Sequence, residues 1–338
     1  MVGKLRCYSV HSVKGGVGKS TLSTAIATTL ARRHPDVEVY LIDMDLTGTS
    51  LGDALPLMAP SWSEGQVDLL RPPDGVLSRD ETLARIEQRQ GGPHEADQLQ
   101  VPYLNDFLLW TDPDWSTTQD VRYEALCWRL DGGPDKLRVL PSSALPGDLQ
   151  RIIPVIFDEE YAAFLEQRVE ALLAALVPDS GERIVVFDTP PTIPGLSRSV
   201  ISLGLRLGGE TKQALADDEY IPPALRVCEV SWRICVVITP DVQDLRAADR
   251  WMLRVDEGER PLVRVVINRA PPDRREQLYE DLFGGGTAMI TPQYPTLANF
   301  ADPRLCVPDD PSLQLFRAEG PLSSDLERLL APVLEALA

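Results

Sequence analysis

The sequence predicts an α/β protein with a doubly wound, mostly parallel sheet of about seven strands and helices on both faces. Short apolar runs rich in β-branched residues recur along the chain, and segments with helical periodicity separate them. Most of these runs are continuously apolar rather than alternating, which is typical of parallel strands covered on both faces. Regular alternation of such strands with helices favours a doubly wound sheet.

Six clear runs and one weaker run are predicted as strands. The clear runs are residues 6–13, 37–45, 137–143, 183–191, 233–240 and 262–269, and the weaker run is 304–310. Leu22, Ile26 and Leu30 share one face of the helix predicted after the first strand. Residues 158–177 carry an amphipathic stripe, and a last helix is predicted where Ser324 and Glu327 have capping-box spacing.

Residues 51–136 break this alternation. They contain 16 acidic and 7 basic residues, a net charge of −9, which is half of the chain's −18. Four of the six tryptophans also fall here: Trp62, Trp110, Trp115 and Trp128. We expect an acidic, Trp-rich insertion in a single domain of residues 1–338. We expect its tryptophans to form local core rather than a binding surface, because Trp is usually mostly buried.

The overall charge and the cysteines restrict the class of function. A net charge of −18 disfavours nucleic-acid binding, which needs a basic face, although a local arginine patch stays open. The five cysteines are scattered without ligand spacing, so we interpret them as buried residues of a reducing compartment. The sequence has no signal-peptide pattern and no apolar run near the ~20 residues of a membrane span. These features predict a cytoplasmic protein.

A glycine-rich segment, VKGGVGKST at residues 13–21, follows the first predicted strand and opens the first predicted helix. Glycines let backbone N–H groups surround phosphate oxygens, and the helix N-terminus adds its positive dipole. Val13 replaces the first glycine of the strict phosphate-loop pattern, but the spacing is kept. Lys19 is expected to meet the β- and γ-phosphates and Ser20 to bind Mg²⁺. The predicted nucleotide-binding residues of the loop are Gly15, Gly16, Val17, Gly18, Lys19, Ser20 and Thr21. A glycine turn without a ligand is the alternative, which the flanking strand and helix disfavour.

KGGVGKST resembles the deviant Walker A motif of the ParA/MinD family of ATPases, which belongs to the SIMIBI class of P-loop NTPases. The resemblance implies that Lys14 crosses the interface of an ATP-bound homodimer and contacts the phosphates of the partner subunit's nucleotide. The residues themselves indicate only that a second cation near a triphosphate would help to hold its charge. A solvated surface lysine is the alternative for Lys14.

Acidic residues end two of the predicted strands. Asp43 and Asp45 lie on the same side if the chain is extended there, and paired acids at strand ends can hold Mg²⁺ through water. IDMDLTGTS is similar to the family's switch I, which implies that Asp45 positions the hydrolytic water and that Asp43 supports the metal shell. VVFDTPP resembles Walker B and switch II, which implies that Asp188 binds Mg²⁺. The usual glycine comes late, at Gly195, and this departure leaves the γ-phosphate contact of the loop open. Two acids that merely cap strand ends are the alternative.

Three further segments resemble the part of the family that surrounds the base and ribose. Asn268 in VINR is the expected adenine contact, although by spacing alone it is only a polar strand end. Pro240, Pro308 and Asp309 fall where the family lines the base.

These features together predict a Mg²⁺-dependent ATPase with Lys14, Lys19 and Asp45 as catalytic residues. We expect ATP to join two subunits and hydrolysis to separate them, so that a protein partner is positioned or regulated. Direct DNA or membrane binding is disfavoured by the acidic chain and by a last helix with few basic residues. The alternatives are an ATP-dependent metallochaperone, or a ligase of the dethiobiotin-synthetase or cobyrinic-amidase type.

Overall fold

The computed structural model describes thirteen ranges of the chain. These are residues 2–47, 51–58, 62–63, 66–67, 103–109, 123–143, 146–191, 195–209, 212–218, 220–271, 275–283, 294–310 and 325–338.

A seven-stranded sheet forms the centre of the protein, and every neighbouring pair of its strands is parallel. Its strands are β1 Lys4–His11, β2 Glu38–Asp43, β7 Leu137–Leu140, β8 Glu182–Asp188, β9 Glu229–Ile238, β10 Val263–Ala270 and β11 Ala301–Pro308. Their order across the sheet is β11-β10-β9-β1-β8-β2-β7. All seven predicted strands are therefore present, and the predicted fold class is confirmed.

Twelve α-helices lie within the described residues. They are α1 Lys19–Arg33, α2 Leu51–Ala54, α3 Leu104–Leu109, α4 Pro146–Phe157, α5 Ala162–Leu176, α6 Leu196–Gly209, α7 Lys212–Asp217, α8 Pro223–Val227, α9 Val242–Met252, α10 Arg275–Phe283, α11 Pro295–Ala298 and α12 Asp325–Leu337. No helix in these ranges is long and apolar enough to cross a membrane. Ser324, the predicted cap of the last helix, lies outside the described residues.

The helices cover the sheet on both faces, as a doubly wound fold requires. On one face, α1 and α12 pack against the sheet, and Leu22, Ile26 and Leu30 are buried there as predicted. On the other face, α5, α6 and α9 supply the core, and the stripe of α5 is buried from Leu165 to Leu176. Continuously apolar strands thus lie between two separate hydrophobic layers.

Part of segment 51–136 packs against the edge of the sheet at β7. Short strands β3 Leu57–Met58 and β6 Arg129–Leu130 pair with each other, as do β4 Trp62–Ser63 and β5 Gln66–Val67. Trp128 exchanges backbone hydrogen bonds with Val139 of β7, and only 4% of it is exposed. Its ring lies 5.2 Å from that of Tyr103. The buried position of Trp128 thus agrees with the prediction of core packing. Trp110, Trp115 and the side chain of Trp62 lie outside the described residues.

All five cysteines are buried and unpaired by disulfides. This agrees with their interpretation as small core residues.

Candidate nucleotide-binding site

The glycine-rich loop connects β1, in the middle of the sheet, to the first turn of α1. Gly16 and Gly18 have φ angles of 78° and 89°, in the left-handed region that only glycine adopts without strain. Gly18 is the N-cap of α1, so no capping side chain covers the first backbone N–H groups of the helix. The loop therefore offers free donors and the positive end of a helix dipole, which together favour an anion.

Lys19 and Ser20 lie beside Asp188. Lys19 is only 7% exposed, and burial lowers the pKa of its ammonium group against the opposing effects of Asp188 and Asp45. Burial raises the pKa of Asp188 to about 6, although a hydrogen bond from Ser20 and the charge of Lys19 oppose the rise. The predicted phosphate lysine, metal-binding hydroxyl and metal-binding carboxylate are thus brought together.

Asp43 faces Asp188 across neighbouring strands, since the two residues are partners in the β2–β8 register. Burial and then the charge of Asp188 raise the pKa of Asp43 well above its usual range. Ser142, at the end of β7, donates its hydroxyl to Asp43 Oδ2 at 2.9 Å. Two buried carboxylates facing each other are unfavourable without a cation, so this arrangement fits a divalent metal.

The chain leaves β2 at Asp43, two residues earlier than the sequence predicted. The cause is a turn in which the backbone N–H of Asp45 donates to Asp43 Oδ1 at 3.2 Å. Asp45 is half-buried, and its Oδ1 accepts from the Thr47 hydroxyl at 2.7 Å. The predicted strand end at residue 45 is therefore corrected to Asp43. Asp43 is fully buried, and Asp45 stays close enough to act on the pKa values of Asp43, Asp188 and Lys19.

The oxygen donors around Asp188 suit Mg²⁺. Carboxylates and a hydroxyl are hard ligands, and Mg²⁺ usually takes one or two carboxylates with phosphate oxygens and water. No cluster of three or more His, Cys, Asp or Glu capable of holding a metal occurs in the part of the chain that the structure describes. A divalent metal held here would therefore need further oxygen ligands, such as phosphate oxygens or water.

A cavity of about 290 Å³ lies next to the loop. It is lined by Gly18, Thr21, Asn268, Arg269, Pro308, Asp309 and Asp310. Three of the four predicted base contacts therefore share one cavity with the loop, and Pro240 is not in its lining. Asn268 also has a role that the sequence did not predict, because its Nδ2 donates to the Val17 carbonyl at 2.8 Å. Arg269, with a φ of 57°, is a lining residue that sequence reasoning missed.

Lys14 forms an ion pair within its own chain. Its Nζ lies 3.2 Å from Asp244 Oδ1 and 3.9 Å from Asp241 Oδ1, both at the start of α9. The Lys14 side chain is 49% exposed, whereas that of Asp244 is 5% exposed and also accepts a hydrogen bond from Thr239. The structure thus pairs the ammonium group of Lys14 with two acids at the N-terminus of α9.

A buried histidine connects three elements of the site, and no motif in the sequence pointed to it. His11 Nδ1 lies 2.8 Å from Ser197 Oγ in α6 and 3.1 Å from Thr189 Oγ1. Thr189, directly after Asp188, donates in turn to the Val10 carbonyl at 2.7 Å. Burial and the charge of Lys19 lower the pKa of His11 to about 3. His11 is therefore neutral and joins β1 to both ends of the segment between β8 and α6.

Comparisons with known proteins agree with this geometry. The ParA family model, described as NUBPL iron-transfer P-loop NTPase, matches residues 5–74. Among solved structures, the MinC:MinD cell division protein complex of Aquifex aeolicus is 15% identical, with 98% of this chain and 95% of that chain covered and a TM-score of 0.51. A plasmid partition protein of Borrelia burgdorferi B31 bound to AMPPNP is 16% identical, with 98% of each chain covered and a TM-score of 0.51. MinD of Pyrococcus horikoshii OT3 with Mg-ADP is 13% identical, with 98% and 96% covered and a TM-score of 0.51.

A glycine-rich loop between a central parallel strand and a helix, facing buried carboxylates on neighbouring strands, is typical of the P-loop NTPase fold. The family model covers this loop and the second strand, and the MinC:MinD structure covers 98% of the chain with a TM-score of 0.51. Residues 5–74 therefore resemble the ParA family, and the chain has the fold of the similar MinD and plasmid partition structures.

Proposed function

We propose that the protein is a Mg²⁺-dependent ATPase that acts as a nucleotide-driven dimerisation switch and positions or regulates a protein partner. One observation carries this proposal: the two lysines of a single loop have different surroundings. Lys19 is buried near carboxylates, whereas Lys14 is half exposed on α9. An exposed lysine beside the phosphate loop is suited to contact the nucleotide of a second subunit.

We assign different residues of the site to the phosphates, the base and the metal of one bound nucleotide. Lys19 and the loop N–H groups bind the phosphates, and the cavity at Asn268, Pro308 and Asp309 takes the base. Ser20 and Asp188 hold Mg²⁺, with Asp43 behind them, and the metal neutralises charge on the phosphates. The AMPPNP and Mg-ADP found in two of the similar structures support this assignment.

Asp45 is the residue that we propose orients the attacking water. Thr47 fixes one of its carboxylate oxygens, so its position is defined before the nucleotide binds. Such pre-organisation favours a transition state because little reorganisation is left for the reaction itself. We expect slow turnover without a partner, as is common for nucleotide switches.

Dimerisation requires Lys14 to exchange one set of anions for another. In the free subunit it pairs with Asp244 and Asp241, and in the dimer it pairs with the phosphates of the partner subunit's nucleotide. ADP lacks the γ-phosphate, so it offers less charge for this exchange. This difference in affinity is what would make the association depend on ATP.

Sedimentation analysis with ATP and with ADP tests the proposal. We expect a dimer for the Asp45→Ala variant in ATP and a monomer for the Lys14→Ala variant that still binds ADP. Lys19→Ala should lose nucleotide binding altogether. Equal dimerisation of Lys14→Ala and the unchanged protein would refute the switch, and unchanged ATP affinity of Lys19→Ala would refute the phosphate site.

The partner is proposed to be a protein rather than DNA or a membrane, in a cytoplasmic setting. The MinC:MinD complex among the similar structures supports a protein partner, and the net charge of −18 disfavours nucleic acid. We also propose one domain over residues 1–338, because Leu104, Leu126 and Trp128 of the acidic segment join the cores beside the sheet.

An ATP-dependent metallochaperone is a second candidate, because the matched family model is described as an iron-transfer NTPase. The burial of all five cysteines weakens it. Iron binding measured with and without ATP distinguishes the two candidates, because the switch is expected to bind no iron stoichiometrically. A ligase would release ADP only with its substrate, whereas the switch would hydrolyse ATP alone.

A further inference from the structure

A groove of about 890 Å³ separates α6 from α9 and reaches the phosphate loop at Val13. We call it the α6–α9 groove. Ile201 and Leu205 of α6 line one wall, and Trp251 and Val255 line the other. Its volume is in the range that encloses several apolar side chains or a drug-sized ligand. The lining is therefore suited to an apolar stripe rather than to solvent alone.

Arginines stand along the rim of this groove. Arg198 comes from α6, Arg250 lies in the last turn of α9, and Arg254 lies two residues beyond the end of that helix. All three are exposed, and none forms an ion pair within the described ranges of the chain. The rim therefore carries three guanidinium groups that no carboxylate of the described ranges pairs with.

Two acids also line the α6–α9 groove, and they leave its charge positive. Glu259 accepts a hydrogen bond from the backbone N–H of Asp256 at 3.0 Å, so its carboxylate is engaged within the turn after α9. Asp256 is the second acid. The arginines therefore present the groove to an occupant as a cationic rim on an apolar floor.

We infer that the α6–α9 groove binds an acidic amphipathic helix of a protein partner. A helix of this kind carries an apolar stripe for the floor and carboxylates on both sides of it. Guanidinium groups bind carboxylates through two parallel hydrogen bonds, which fixes the orientation of the helix as well as its charge. Nucleic acid fits less well, because a phosphate backbone has no apolar stripe and the net charge of −18 repels it.

The groove is adjacent to the part of the site that we propose to change with nucleotide. Val13 lines it, and Lys14 follows directly in sequence. The same helix that carries Arg250 and Trp251 has Asp244, the ion-pair partner of Lys14, in its first turn. The inference rests on the proposed function in one respect, namely that the helix in the groove belongs to a regulated partner. The groove itself is testable on nucleotide-free protein, so the two can fail separately.

The test uses a designed helical peptide of about 18 residues with a leucine stripe flanked by glutamates, labelled for fluorescence anisotropy. A second peptide carries lysine at each glutamate position. We expect the full-length, nucleotide-free protein to prefer the acidic peptide. Arg250→Glu should weaken that binding about tenfold, since buried interfacial arginines are frequent hot spots. Arg250→Glu with Arg254→Glu should reverse the preference toward the lysine peptide.

Arg246→Glu is the matched control, because Arg246 is exposed on the same helix but does not line the groove. It should change the affinity by less than about twofold. Each variant is first checked for unchanged ATP binding, which separates a failure of the groove from a failure of the nucleotide site. Equal binding of both peptides, or equal losses for Arg246→Glu and Arg250→Glu, would overturn the inference. So would tighter binding of duplex DNA than of the acidic peptide, or an arginine-dependent dimer without nucleotide.

Discussion

Replacement of Asp188 by asparagine is predicted to stabilise the nucleotide-free protein. Asp188 is fully buried, and its pKa is about 6 rather than the usual 3.8, so the folded state favours its protonated form. A tenfold change in proton affinity corresponds to about 1.4 kcal/mol, so the ionised carboxylate lowers the free energy of unfolding by about 3 kcal/mol above pH 6. The amide has the same shape without the charge, and it relieves Asp43 of a repulsive neighbour.

The sign of the stability difference between the two proteins, and the pH range over which it changes, follow from the pKa values of Asp188 in the folded and unfolded states. Below pH 3.8 the carboxyl is neutral in both folded and unfolded states, so aspartate and asparagine differ little. As the pH rises from 3.8 to about 6, the unfolded state ionises first and the unchanged protein loses stability. The advantage of Asp188→Asn should therefore grow from about 2 kcal/mol at pH 5.5 to about 3 kcal/mol at pH 7.5.

Urea denaturation at these two pH values measures the difference, and a thermal scan should show a rise of roughly 4 °C in Tm for a chain of this length. Asp309→Asn is the control, because Asp309 is an exposed acid of the same site and should change stability by less than about 0.5 kcal/mol. In the presence of Mg²⁺ and ATP the order should reverse, since the variant lacks a metal ligand. Lower stability of Asp188→Asn at pH 7.5, or an advantage that shrinks with rising pH, would refute the reasoning.

Two further substitutions test the loop. Asp244→Asn should weaken the ion pair with Lys14 by about 1 kcal/mol, because the lysine side chain is half exposed. ATP-dependent dimerisation, measured by sedimentation, should therefore become about fivefold stronger per subunit. An unchanged or weaker dimer contradicts the proposed exchange of anions. Gly18→Ala should destabilise the protein by about 1–2 kcal/mol, because φ is 89° and the new Cβ would meet Asn268 Nδ2. It should also abolish binding of a fluorescent ATP analogue, whereas Gly258→Ala, with open space around its Cβ, should affect neither property.

The features that sequence reasoning predicted correctly are those that are local in the chain. The phosphate loop is one continuous segment with its strand and helix on either side, and the sheet follows from apolar runs that the parallel fold buries. Asp188 could be placed because it follows a buried run directly. For these features, one stretch of residues contains both the signal and the structure.

The missed contacts join residues that are far apart in sequence. The Asn268 side chain meets the Val17 carbonyl across 251 positions, and His11 meets Ser197 across 186. The Lys14–Asp244 pair depends on the orientation of α9 relative to the preceding strand β9, which sequence periodicity does not show. The turn at Asp45 was missed for another reason. A local hydrogen bond from the Asp45 backbone N–H to the Asp43 side chain ends a strand whose sequence pattern continues to residue 45.

Each of the seven strands of the sheet contributes one component of the site at or just beyond its carboxyl end. From β7 to β11 across the sheet, these are Ser142, Asp43, Asp188, the phosphate loop, the Thr239–Asp244 turn, Asn268 and Pro308. No single supersecondary unit contains enough of them to hold a nucleotide. Bound ATP should therefore oppose global unfolding much more than local opening, by RT ln(1 + [ATP]/Kd). Hydrogen exchange of amides in the edge strands β7 and β11 should then slow on nucleotide binding together with that of the central strand, although neither edge strand carries the phosphate loop.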